Sequence, residues 1–121
     1  MLKLTLVSIV AVDGRDDGAL LALAASAARG LDASLATAIL ESARECAVEI
    51  AAADRVQEAA GAGVVASVQG KTVVIGNVAL FTSLGLSVER LGNWPERLRQ
   101  RGQQVVFVAV DGQTVGFLGL V

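Results

Sequence analysis

The sequence contains no histidine and only one cysteine among its 121 residues. Without histidine, a serine triad with a histidine base and a histidine-bound zinc site are both excluded. Because Cys46 stands alone, no internal disulfide and no paired-cysteine metal motif can form, which suits a reducing compartment. No nucleophile with an accompanying base is evident either. We therefore expect no catalytic residue and no metal site in this chain.

Aromatic residues are scarce at 3%, whereas hydrophobic residues make up 54% and charged residues 18%. The core must therefore be built mainly from Ala, Val, Leu and Ile, and the apolar content is ample for folding. The length fits one domain covering residues 1–121. A net charge of -2 shows no basic excess, which argues against a nucleic-acid partner.

No apolar run reaches the 18 residues that a membrane-spanning helix needs. Residues 4–12 loosely imitate a short signal peptide, but an acidic turn follows at once without a small-residue cleavage pattern. A first strand ending in a turn explains this segment better. We therefore expect no direct membrane contact.

Two stretches have the periodicity of amphipathic helices. Apolar residues recur at helical spacing over residues 20–27, behind an acidic start at Asp16. A second helix follows an N-cap at Asp32 or Ser34, and its apolar stripe reaches Cys46, which predicts a small buried side chain there. These two helices form the first predicted pair.

The second half of the chain alternates hairpins with short helices. Strands rich in Val, Ile and Thr are bounded by turn residues, and the Asp-Gly at residues 111–112 is a strong hairpin signal. Residues 51–60 are ambiguous, because alanine favours a helix while alternation around Val56 favours a strand. A second helical pair is predicted at residues 78–84 and from Pro95 to about residue 101. The other predicted strands lie near residues 4–12, 63–68, 72–76, 104–110 and 114–120. The fold class is α+β, with about six strands in a mostly antiparallel sheet flanked by two helical pairs.

Two glycine-containing turns are candidate ligand contacts. The segment Gly61-Ala62-Gly63 permits close approach of the backbone to a ligand, and its N–H groups could meet a phosphate or an adenine edge. Such glycines can equally serve only the turn. The Gly76-Asn77 step has the same two interpretations, because Asn77 can simply cap the next helix.

Taken in their order along the chain, the first helical pair, the glycine-containing hairpin and the closing hairpin resemble the nucleotide-binding domain of heavy-metal-transporting P-type ATPases, the copper, silver and zinc pumps. Residues 21–39 look like the family's helix–loop–helix, residues 58–77 resemble its Gly-x-Gly hairpin ending in Gly-Asn, and residues 101–121 resemble its closing hairpin. The resemblance places a strand over residues 56–59, so we predict a sixth strand near residues 55–59. The family's phosphorylated Asp-Lys-Thr-Gly loop is absent. The resemblance therefore implies a single domain excised from a longer membrane pump.

The resemblance also implies a site. In this family adenine is held mainly by a Ser-Glu-His-Pro motif and an upstream glutamate, with the Gly-x-Gly and Gly-Asn backbones closing the pocket. Here Ala33 replaces the histidine, Ser34 the proline and Ala28 the upstream glutamate. The nucleotide-binding residues that can be carried over are Gly61, Gly63, Gly76 and Asn77, with Asp32 as a shortened counterpart of the motif's glutamate.

Three functional hypotheses follow. In the first, the chain binds ATP with its Mg²⁺ and presents it to an aspartate elsewhere, on the cytoplasmic side of a copper- or zinc-type pump, with the phosphorylation and actuator domains as partners. The isolated chain is then inactive, while the parent is a metal-translocating hydrolase that forms an aspartyl-phosphate. In the second, a degenerate copy has lost the nucleotide and serves as a docking or regulatory module. In the third, the chain is a free-standing α+β domain with an accidental likeness.

Overall fold

The computed structural model describes residues 4–12, 14, 16–59 and 62–121, apart from the side chain of Arg90. Within these residues, six strands and four α-helices follow one another along the chain, with short 3₁₀ turns at Ala28–Gly30 and Glu89–Leu91. The elements are β1 (Leu6–Ala11), α1 (Asp17–Ala27), α2 (Ala33–Glu45), β2 (Arg55–Ala59), β3 (Gly63–Val68), β4 (Lys71–Gly76), α3 (Val78–Ser83), α4 (Trp94–Gln100), β5 (Gln104–Val110) and β6 (Gln113–Leu120).

All six strands form one sheet in the order β1-β6-β5-β4-β3-β2. Every neighbouring pair in the described part of the chain is antiparallel. The predicted α+β class, with its six-stranded antiparallel sheet and two helical pairs, is confirmed. The ambiguous segment is a strand at Arg55–Ala59, because its residues pair with β3, and tertiary pairing outweighs the weak helix propensity of alanine.

Both faces of the sheet are covered by helices. The strand β5 makes this plain, because Val106, Val108 and Val110 belong to a core beneath α1 and α2, whereas Phe107 and Ala109 belong to a second core beneath α3 and α4. The sequence of a strand that is buried on both faces is a continuous apolar run rather than an alternation of apolar and polar residues. The first core is almost wholly aliphatic, as the composition predicts.

The aromatic residues are concentrated on the other face. The rings of Phe81 and Phe107 have centroids 5.6 Å apart, and those of Phe107 and Phe117 are 6.3 Å apart. The half-exposed Trp94 meets Phe117 edge to face at 5.9 Å. The few aromatic residues thus form one cluster, whose offset geometry adds to the burial of their area.

One prediction from helical periodicity is wrong. The helix α2 ends at Glu45, so Cys46 lies at the C-cap and is exposed instead of continuing the buried stripe. Among the described residues, no helix combines the length and apolar character that crossing a membrane requires.

Candidate functional site

A cavity of about 370 Å³ opens at one end of the sheet, where β2 and β4 finish and β3 and β5 begin. The start of α2 and the turn before it form the opposite wall. The residues lining the cavity are Gly30, Leu31, Asp32, Leu35, Glu58, Ala59, Ala62, Gly63, Gly76, Asn77, Gln104, Val105 and Val106. Of the sequence-predicted site residues, the fold thus brings together Asp32, Gly63, Gly76 and Asn77. Gly61 lies outside the described residues.

Gly63 and Gly76 face each other as a cross-strand pair between β3 and β4. A Cβ on Gly63 would strike the carbonyl oxygen of Ile75 and lie 2.6 Å from the Gly76 Cα. A Cβ on Gly76 would strike the Ala62 carbonyl oxygen and lie 2.7 Å from Leu80 Cδ2. Gly63 also has a φ of +146°, which favours glycine. Both glycines are therefore required by the strand pairing itself, and they line the cavity as a consequence.

Asn77 and Asp32 stand at the starts of two helices. The Asn77 Oδ1 accepts a hydrogen bond of 3.0 Å from the Leu80 N–H, so this side chain is the N-cap of α3. Its amide NH₂ group makes no hydrogen bond within the described residues and is open to a ligand. Of the two N-cap residues that the sequence left open for α2, Asp32 and Ser34, the structure has Asp32, but its carboxylate makes no capping hydrogen bond.

The remaining walls divide into aliphatic and polar parts. Leu35 and Val106 are almost fully buried and contribute to the apolar part of the lining. Glu58 and Gln104 are exposed side chains at the rim, on β2 and β5. No Lys or Arg is among the described lining residues, so the cavity presents two carboxylates and two amides without a cation. The described part of the chain also lacks a group of three or more His, Cys, Asp or Glu side chains fit to hold a metal ion.

Ala33 and Ala28, which stand where the family has its histidine and upstream glutamate, differ in their burial and in their position relative to the cavity. Ala33 is exposed in the first turn of α2, next to the lining residue Asp32. Ala28 is completely buried in the core beneath the helices and does not line the cavity. A longer side chain is therefore accommodated at Ala33, whereas a glutamate at Ala28 would place a charge within close-packed aliphatic residues.

Sequence reasoning missed two polar residues of this cavity, Glu58 and Gln104. Glu58 could have been found from its spacing, because it lies two residues after Val56 and so shares the face of β2 that turns toward the first core. Gln104 could not, because it approaches the cavity only through the pairing of β5 with β4, which lies far away in sequence.

No protein-family model matches the chain. Among curated proteins, the chain is 37% identical over 113 residues to a copper-exporting P-type ATPase of Legionella pneumophila, a match covering 93% of this chain and 15% of that protein. It is 34% identical over 118 residues to a copper-transporting P-type ATPase of Rhizobium leguminosarum, covering 98% of this chain and 14% of that protein. The chain thus spans about one seventh of the length of these relatives.

Solved structures agree on the fold. A zinc-transporting P-type ATPase of the PIB class superposes with a TM-score of 0.77 at 27% identity, over 98% of this chain and 19% of that one. The N-domain of a copper-transporting P-type ATPase superposes with a TM-score of 0.78 at 20% identity, over 99% of this chain and 100% of that one. In the second match, the solved chain is the N-domain alone, and it has the same extent as this chain.

Proposed function

Since the chain belongs to the heavy-metal P-type ATPases and matches their N-domain in sequence and fold, we propose that it is the ATP-binding domain of a metal-translocating pump. The observation that carries this proposal is the cavity, which lies between α2 and the paired glycines of β3 and β4. The extent of the similarity excludes an accidental likeness. A single domain at residues 1–121 within a longer pump is part of the proposal.

The shape of the cavity supports a nucleotide held by its base. Leu35 and Val106 offer aliphatic surface against which a purine ring can lie, and the Gly63 and Gly76 backbones leave room beside it. Among the described residues, the lining carries carboxylates and no cation, so a triphosphate would be repelled from the interior. The phosphates therefore project out of the mouth, carrying Mg²⁺ with them.

This orientation assigns the chain a positioning role. Its own residues hold the base and ribose end, while the γ-phosphate extends toward an aspartate supplied by a phosphorylation domain outside this chain. The residues bind and orient the nucleotide and transfer no proton or phosphoryl group. The phosphorylation and actuator domains are the proposed partners, and the cytoplasmic side of the membrane is the proposed location. Copper or zinc would be the cargo of the whole pump.

Two observations favour a second candidate, a degenerate domain that no longer binds nucleotide. Ala33 offers no ring for stacking on adenine, and the fully buried Ala28 offers no carboxylate. Each of these missing contacts is worth on the order of 1 kcal/mol.

The same two losses set the affinity that we expect under the first proposal, in which the chain does bind ATP. Because a loss of about 1.4 kcal/mol weakens binding tenfold, we expect a dissociation constant in the millimolar range.

A titration with MgATP followed by amide chemical shifts tests the proposal, using a variant that blocks the cavity. Gln104 is exposed at the start of β5 and lines the cavity, so Gln104→Trp should fill the mouth without disturbing the core. We expect this variant to weaken ATP binding by about tenfold or more, because it removes the space for the base.

Gln113→Trp is the matched control. Gln113 is likewise exposed and opens its strand, but it lies beside the β5–β6 turn at the opposite end of the sheet. Equal affinities of the two variants for ATP would contradict the assigned site. A wild-type chain whose amides do not shift at all in millimolar MgATP would instead establish the degenerate domain.

A further inference from the structure

We propose that Glu58 is a specificity-determining residue, whose carboxylate accepts a hydrogen bond from the exocyclic amino group of the bound base. This inference rests on the proposed function and deepens it, because it states which chemical feature of the nucleotide is read and by which side chain. Neither composition nor the family resemblance indicates this residue.

The position of Glu58 is set by the register of the sheet. Glu58 pairs with Val64, whose side chain is fully buried in the core beneath α1 and α2. Two residues earlier, Val56 packs against that same core. The side chain of Glu58 therefore leaves the sheet on the α2 face, where it lines the same cavity as Leu35.

The lining contains only one other carboxylate, that of Asp32, in the part of the chain that the structure describes. Asp32 stands at the N-cap of α2, beside backbone N–H groups of the first turn that its side chain can cap after a rotamer change. A ligand must compete with those groups for Asp32. Glu58 lies on the edge strand β2, and in the described part of the chain no helix begins next to it along the sequence. Of the two carboxylates, Glu58 is thus the freer acceptor.

A carboxylate only accepts hydrogen bonds, so it favours a base edge that donates. Adenine donates through its 6-amino group, and purine without that group has no donor on its ring edge. A hydrogen bond to a charged partner is also stronger than one between neutral groups. The side-chain amide of Gln104, which also lines the cavity, has both a donor and an acceptor. It therefore does not discriminate between a base edge that donates and one that accepts.

The experiment compares ATP with purine riboside triphosphate, which is ATP without the exocyclic amino group. Dissociation constants of both are measured by chemical-shift titration for the wild type, Glu58→Ala, Glu58→Gln, Asp32→Asn and Glu45→Ala. Glu45 is an equally exposed glutamate in the last turn of α2, about 18 Å from the helix start, and its removal changes the net charge identically. Removing either charge can tighten both triphosphates, so the measured quantity is the ratio of the two constants.

We expect the wild type and Glu45→Ala to bind ATP about tenfold more tightly than purine riboside triphosphate, because only ATP donates a hydrogen bond to the charged carboxylate. In Glu58→Ala the preference should fall to within about twofold, and Glu58→Gln should retain part of it, because its amide oxygen still accepts. A ratio that survives in Glu58→Ala overturns the inference while ATP binding, and so the proposed function, stands. A ratio lost in Asp32→Asn but kept in Glu58→Ala overturns it as well. Absence of ATP binding in the wild type overturns both.

Discussion

Replacing Gly63 with alanine should cost far more stability than the same change at another glycine with a positive φ. The added Cβ would strike the Ile75 carbonyl oxygen and lie 2.6 Å from the Gly76 Cα and 2.9 Å from Leu80 Cδ2. Backbone strain at φ +146° costs about 1–3 kcal/mol, and overpacking adds about 1–3 kcal/mol. The sum, about 2–6 kcal/mol, is a large part of the 5–15 kcal/mol typical of a domain.

Gly70→Ala separates these two contributions. Gly70 has a φ of +79° in the β3–β4 turn, and nothing lies within 4 Å of its ideal Cβ. Its replacement should cost only the backbone strain, about 1–2 kcal/mol. Urea unfolding of both variants measures the difference between their unfolding free energies. If Gly63→Ala shows no cooperative unfolding transition, the variant has lost at least the stability predicted above. Equal unfolding free energies for the two variants would refute the reasoning that the glycine pair is required by the strand pairing.

Three further outcomes are expected. Ala33→His should tighten ATP binding by about tenfold, because an imidazole at the exposed start of α2 can stack on the base, and an unchanged dissociation constant by chemical-shift titration would contradict this. Ala28→Glu should lower the unfolding free energy by about 3 kcal/mol or more, because this position is fully buried; a stable variant in urea unfolding would speak against the packing described. The isolated chain should release no phosphate from ATP above a blank without protein, and release that disappears only when the fold is disrupted would defeat that expectation.

Much of the fold can be predicted from the sequence because each element carries its own local signal. The strand β5 is a continuous apolar run bounded by turn residues, and the Asp111-Gly112 turn fixes its pairing with β6. Asp16 caps α1 through a 3.0 Å hydrogen bond from the Ala19 N–H, as an acidic helix start suggests. The end of α2 is harder, because periodicity alone extends the helix to Cys46, and no strong stop signal marks Glu45.

The candidate site is only partly predictable, for a physical reason. Glycines and a capping asparagine are visible as local motifs, but their first roles here are to allow β3 and β4 to pair and to begin α3. The polar groups that could read a ligand, Glu58 and Gln104, reach the cavity through the strand order. That order depends on long-range pairing, which no local pattern encodes.

Intermolecular nuclear Overhauser effects between MgATP and the chain test the central proposal most directly. If the base lies in the cavity beside α2, the adenine H2 and H8 protons should show contacts with the methyl groups of Leu35 and Val106. A second cavity, lined by Leu23 and Val68 near the β3–β4 turn, provides an internal control whose methyl groups should show none. Contacts with Leu23 and Val68, or no contact with Leu35 and Val106 while amide shifts prove that ATP is bound, would contradict the assignment of the site.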